Sequence, residues 1–375
     1  MKRIAYVIFL IFLAPRMNGQ TLPDIYQPYK MTDSTETGAL NFRIESMGFF
    51  QNNEYLGNFV DGYTLPGFLL RPKLTFSPVE GLYLEAGAHL LKYSGRDQMS
   101  YALPWFSTRY NFSDRFSAVV GNLNQNNQHR LLEQLWEPER MYTEKPESGL
   151  QFLYSGEKLN AQTWVNWEQF IQKDDPFQEH FAFGLTSDYR AYQNSELSLK
   201  IPVQVLFYHQ GGEINSGVAG VRPRVQTRAN FAAGWELSLN VGEKLKMINL
   251  NGYWLGYNAV TKDSNTLPFD KGHAYLFEAS AQMKQSRISL SYWNAYQFIA
   301  PKGRLLYQSV SDSDPTFTQA DRSIISAKYF WQRKIAKDAH VAFQLESYID
   351  TQTGDFSYSY GFFLLLNQDF VIKRF

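Results

Sequence analysis

The chain has 375 residues, 44% of them hydrophobic and 19% charged, with 36 Lys and Arg against 36 Asp and Glu. That balance leaves no net field to attract nucleic acid, so no nucleic-acid partner is expected. The absence of cysteine excludes disulfide scaffolds, thiolate metal sites and cysteine nucleophiles.

The N-terminus comes first. Met1, Lys2 and Arg3 precede the apolar run Ile4 to Ala14, which ends at Pro15, Arg16, Met17, Asn18 and Gly19. A basic start, a short apolar run and a small residue read as a secretory signal peptide over residues 1–19, because the run is too short to cross about 30 Å of hydrocarbon as a helix. Residues 20–38, with two prolines among Thr, Ser and Asp, read as an unfolded exported segment.

From residue 39 onward the chain alternates. Strands are expected near 39–51, 67–76, 82–93, 104–112, 115–123, 148–155, 158–170, 181–186, 197–207, 225–239, 245–257, 273–284, 287–298, 323–333, 339–350 and 355–367. That is about sixteen segments of period two. Pro72 and Pro202 fall inside two of them, where each removes a ladder hydrogen bond and a bulge is expected. Turns at 77–81, 113–115, 156–158, 242–244 and 284–286 are short, whereas 124–147, 171–178, 210–222, 258–272 and 299–322 are long. Short turns at one end and long loops at the other predict an all-β fold, a transmembrane antiparallel up-and-down β-barrel over residues 39–375.

The polar faces carry charge in mid-strand. Arg43, Arg71, Lys73, Arg109, Lys200, Arg228 and Lys328 are basic, and Glu45, Glu85, Glu168, Glu236, Glu278 and Glu346 are acidic. These groups would be costly in a dry core and suit a wet lumen. The mixture predicts weak ion selectivity, with Arg228 solvating the lumen or pairing with Glu236. Trp105, Trp136, Trp167, Tyr189, Tyr257, Tyr275, Trp293, Trp331, Tyr358 and Tyr360 are expected to form interfacial girdles in contact with outer-membrane lipid.

The last strand, Ser357 to Asn367, is followed by Gln368 to Phe375, with phenylalanine as the final residue. Here the chain resembles Gram-negative outer-membrane barrel proteins, in which a terminal aromatic on an alternating strand is the insertion signal. Asp369 and Lys373 depart from that pattern.

The strand number and the long third outer loop look like the porin layout. The resemblance implies that this loop folds into the barrel and narrows it, with Arg130, Glu133, Glu137, Glu139 and Arg140 at the constriction. It implies a channel for passive diffusion of small polar solutes and leaves homo-oligomerisation open. An alternative is a non-conducting barrel that binds a partner or assists envelope assembly. His89, His129, His180, His209 and His273 fall near the outer strand ends, where hydrolysis or metal binding could occur. No HExxH, GxSxG or glycine-rich phosphate loop is present. The expectation is therefore a protein without a cofactor, a metal or an enzymatic activity.

Overall fold

The computed structural model describes residues 36–124, 129–172, 175–211, 225–261, 268–314 and 316–375. The expected signal peptide and residues 20–35 lie outside the described residues. Sixteen strands follow in chain order: β1 (Ala39–Glu54), β2 (Tyr63–Phe76), β3 (Leu82–Tyr93), β4 (Tyr101–Asn111), β5 (Phe116–Asn122), β6 (Ser148–Ser155), β7 (Leu159–Gln169), β8 (Glu179–Gln193), β9 (Leu197–Gly211), β10 (Gln226–Asn240), β11 (Leu245–Ala259), β12 (Lys271–Met283), β13 (Ser286–Tyr296), β14 (Asp321–Ala336), β15 (Ala339–Asp350) and β16 (Phe356–Arg374). Each pairs antiparallel with its neighbours, and β1 pairs with β16 to close the barrel. Closure leaves no unpaired edge, which is what lets a sheet span a membrane.

Side-chain alternation separates two surfaces. Outward positions such as Phe68, Phe106, Ile201, Phe277, Leu290 and Phe362 are exposed. An apolar surface of this extent would drive association in water and is stable against hydrocarbon. Inward positions include buried Arg43, Arg71, Lys73, Glu85 and Glu236.

Pro72 and Pro202 are accommodated without a register shift. At Pro72 the β2–β3 register passes from Leu70↔Leu90 to Lys73↔Gly87. At Pro202 the β9–β10 register passes from Ala233↔Val203 to Glu236↔Lys200. Each proline keeps its pairing on the other side, Ile44↔Pro72 and Asp188↔Pro202. The expected bulge is thus a short gap in one ladder, since only the side that needed the missing N–H loses its bonds.

The girdle expectation divides. Trp105, Trp293 and Tyr257 are buried on the inner face and Trp136 is buried in the third outer loop. Trp167, Tyr189, Tyr275 and Tyr358 do lie exposed on the outer face. Counting aromatics near strand ends ignores parity, and parity decides which surface a ring joins. Asp369 is an inward position too, its carboxylate 2.8 Å from the Arg43 guanidinium, which accounts for a charge near the terminal strand's end.

Candidate functional site: a lumen crossed by two loops

Among the described residues, two long loops reach into the barrel interior: residues 129–147, between β5 and β6, and residues 297–314 with 316–320, between β13 and β14. Near the start of each stands a non-glycine residue with a left-handed backbone, Arg130 (φ 57°) and Gln297 (φ 53°). A positive φ reverses the chain direction at a steric cost that surrounding contacts must offset.

The first loop traverses the lumen. Near its start, the Leu132 N–H donates to Gln204 Oε1 of β9 over 3.0 Å, and Gln204 Nε2 donates to the Arg130 carbonyl over 3.0 Å. Leu131, Leu132, Leu135 and Trp136 join a buried cluster that includes Leu206, Tyr253, Leu255 and Trp293 from the wall. Further on, the short helix α1 (Arg140–Thr143) sets Met141 and Tyr142 against Met47, Phe49, Leu91 and Phe363 on the opposite wall. The Tyr142 and Phe49 rings lie 4.7 Å apart. The loop is clamped at its base, where His129 Nε2 lies 2.5 Å from Glu147 Oε2 and the imidazole stacks on Trp164 of β7 with centroids 3.8 Å apart.

The second loop locks onto the first. The Glu137 N–H donates to the Lys302 carbonyl over 2.7 Å, and the Arg304 N–H donates to the Glu133 carbonyl over 2.8 Å. Gly303 sits between these bonds, and a Cβ there would lie 2.0 Å from the Gln134 carbonyl oxygen, so only glycine permits the approach.

An ionic hub is built around these backbone bonds. Arg304 Nη1 lies 2.6 Å from Glu346 Oε2 of β15 and 3.4 Å from Glu133, and Nη2 lies 3.1 Å from Glu137. The Tyr348 hydroxyl is a further partner of the same guanidinium. Lys328 of β14 approaches Glu133 at 2.5 Å and Glu346 at 3.2 Å. Beside the hub, Lys302 Nζ and Arg140 both reach the Glu168 carboxylate of β7, at 2.5 and 3.6 Å. Glu139 accepts hydrogen bonds from Tyr63 Oη (2.7 Å) and Asn53 Nδ2 (3.1 Å). Its carboxyl is pushed up to about 7, first by burial and then by the neighbouring Glu137. The surrounding carboxylates hold the Arg304 guanidinium well above its ordinary value.

Thus Glu133 and Glu137 meet at Arg304, Glu139 reaches the β1–β2 wall, and Arg140 turns to Glu168. Arg130 stands apart, half exposed and 2.8 Å from Asp188. Of the other inward charges, Arg43, Lys73 and Glu85 form one network with Glu45 and Asp369 in the periplasmic half. Arg71 donates to His89 Nδ1 and Arg109 to Asn111. The expected Arg228–Glu236 pairing is corrected. Eight residues of strand separate them by about 27 Å; Arg228 bonds Gln226, and Glu236 accepts from Tyr253.

Arg304 and Lys302 were absent from the sequence expectation. Their signal was the length of the second loop, whose PKGR segment places two cations in one turn. Below the loops a cavity of about 100 Å³ is lined by Glu133, Glu278, Arg287, Arg304, Lys328 and Glu346 among others.

A closed sixteen-strand barrel, apolar outside and charged within, defines a Gram-negative outer-membrane β-barrel protein, and the cell outer membrane is its location. Within that class, the chain belongs to the lipid A 3'-O-deacylase-type family, whose model matches residues 32–375. Membership in an enzyme family overturns the expectation of a protein without enzymatic activity. The absence of HExxH and GxSxG excludes only active sites carried on one local segment, and side chains brought together from separate strands share no such spacing.

Among solved structures, the chain is similar to a loop L8 deletion mutant of OmpT, an outer membrane protein of Vibrio cholerae. The TM-score is 0.52 at 9% identity, covering 89% of this chain and 100% of that one. The trimer form of in-vitro folded OmpT from the same organism is similar at 0.51 and 8% identity, with 89% and 100% coverage. These are likenesses of fold. No curated protein matches the sequence.

Proposed function

We propose that the protein is an outer-membrane acyl-ester hydrolase that removes an ester-linked acyl chain from a glycolipid of the lipid A class. The observation that carries this reading is the family match, which spans the whole barrel. The geometry agrees with it. Two mutually bonded loops cross the lumen, while the outward surface is apolar, as a face set against lipid must be. A substrate that is itself a membrane lipid reaches the protein from the side and needs no open pore.

The test is to refold the mature chain into vesicles containing lipid A and to follow the lipid by mass spectrometry. Loss of one acyl chain, with free fatty acid appearing, is the expected result. A folded barrel that leaves every ester intact refutes the reading.

A second reading is a passive channel for small polar solutes gated by the two loops. Its support is the charged cavity beneath them. In that reading Arg130, Glu133, Glu137, Glu139 and Arg140 line the constriction, and stepwise bilayer conductance that grows when residues 128–142 are deleted is the expected signature.

A further inference from the structure

At the extracellular end of the outer surface, one row of side chains crosses four strands at a single height. Trp167 of β7 is paired with Phe181 of β8, Phe181 with His209 of β9, and His209 with Thr227 of β10. The rings form a continuous stack, Trp167 to Phe181 at 5.3 Å and Phe181 to His209 at 4.8 Å between centroids. Trp167 Nε1 donates to Glu179 Oε1 over 2.8 Å. Around the row, Phe170, Phe177, Val225 and Val260 are exposed.

Exposed aromatics at strand ends mark the level at which hydrocarbon gives way to headgroups. The ester linkages of a membrane lipid lie at this same boundary. Deeper on the outer face an imidazole and a hydroxyl would be unfavourable; here they are at the one level where both apolar chains and polar groups are at hand.

The geometry at the end of the row is that of a nucleophile beside a base. His209 Nδ1 lies 2.8 Å from Thr227 Oγ1. The threonine is fixed by its backbone, whose N–H donates to Thr261 Oγ1 over 2.6 Å and whose carbonyl accepts from the Val260 N–H over 2.8 Å. The histidine is held by stacking on Phe181. Two residues on, Gly211 leaves room at the ring, since a Cβ there would stand 3.2 Å from His209 Nε2 and 2.9 Å from Val225. Hydrogen-bond contact between a hydroxyl and a positioned imidazole is the geometric requirement for an activated nucleophile.

We propose that His209 and Thr227 are the catalytic pair for glycolipid ester cleavage, working on the outer surface of the barrel; this rests on the acyl-ester hydrolase reading above. Thr227 Oγ1 attacks the acyl carbonyl carbon while its proton passes to His209 Nδ1. The bond between that carbon and the sugar oxygen then breaks, and the proton moves to the departing sugar hydroxyl. Water adds to the acyl-threonine and gives a proton to His209. The fatty acid leaves as Thr227 Oγ1 takes that proton back.

The experiment compares wild type, Thr227→Ala, Thr227→Ser and His209→Asn, all refolded as full mature chains in vesicles containing lipid A. Folding is checked by gel mobility before and after heating. In parallel each protein is treated with p-nitrophenyl dodecanoate, and its peptides are analysed for an added dodecanoyl group.

The expected result is a loss of at least about 100-fold in lipid A deacylation for Thr227→Ala and His209→Asn, retention within about tenfold for Thr227→Ser, and acylation of the Thr227 peptide in wild type. Full activity in Thr227→Ala overturns the pair and leaves the hydrolase reading standing. A folded wild type that neither deacylates lipid A nor becomes acylated overturns both. Acylation at Thr227 with lipid A untouched retains the pair and overturns the glycolipid substrate.

Discussion

Removing the Arg304 guanidinium tests whether the ionic hub is what seats the two loops. In Arg304→Ala the carboxylates of Glu133, Glu137 and Glu346 lose the cation lying within 3.4 Å of each, and Lys328 alone remains close to Glu133 and Glu346. Breaking a buried ion pair by deleting one partner costs about 3–5 kcal/mol, because the remaining charge is left desolvated. The strand ladders do not involve Arg304, so the cost falls on docking of the loops and leaves barrel closure intact. At about 1.4 kcal/mol per factor of ten, the undocked population rises by roughly two to three and a half powers of ten. Hydrogen exchange reads this directly. The amides of Glu137 and Arg304, bonded across the two loops, should exchange faster by that factor while the strand amides keep their protection. Unchanged exchange in both loops would show that apolar packing of Leu132, Leu135 and Trp136 seats them and that the hub is incidental.

Three further outcomes follow from the same contacts. Glu139, pushed up to about 7 in the docked loop and ordinary once released, favours docking fully below about pH 4.5 and loses that contribution as pH rises through 7; exchange of residues 137–144 should therefore quicken over this window, and Glu139→Gln should flatten the dependence. Gly184→Ala should displace Trp164, whose ring carbon lies 2.1 Å from the position of the added Cβ, and so disturb the His129–Glu147 clamp, at a cost of about 1–3 kcal/mol seen as a lowered Tm and altered tryptophan fluorescence. Phe375 packs edge-on against Phe76 at 5.7 Å and its N–H donates to the Gly38 carbonyl over 2.8 Å, where the terminal strand meets the start of the first. Deleting it should lower the amount of folded barrel in the outer membrane, measured by heat-modifiable gel mobility.

The barrel was legible because its determinants are local. Period-two alternation locates strands one at a time, and the alternation of short turns with long loops orders them without any long-range information. The misreadings arose where a neighbouring strand decides. Trp105, Trp293 and Tyr257 have the composition of a girdle and the parity of a lumen, and parity is visible only once the whole strand is phased. β8 extends to Gln193, past the expected 186, because its polar end pairs with β9 at Asp188↔Pro202 and Arg190↔Lys200. There the ladder sustains a strand that hydrophobicity alone does not mark.

The site is less legible for the same reason taken further. Glu133, Glu137, Glu139 and Arg140 share one loop, so a single inference about where that loop goes carries all of them inward. Their partners Lys302, Arg304, Lys328 and Glu346 come from three later segments, and nothing in a linear reading says that the loop after β13 turns into the barrel as well. The outer row is the extreme case. Trp167, Phe181, His209 and Thr227 belong to four consecutive strands, and His209 read alone is one of several histidines near outer strand ends. Only the β7–β10 register brings the four to one height, and only parity sets all of them toward lipid. Four residues gathered from four strands in this way share no short spacing, so the row leaves no motif along the chain.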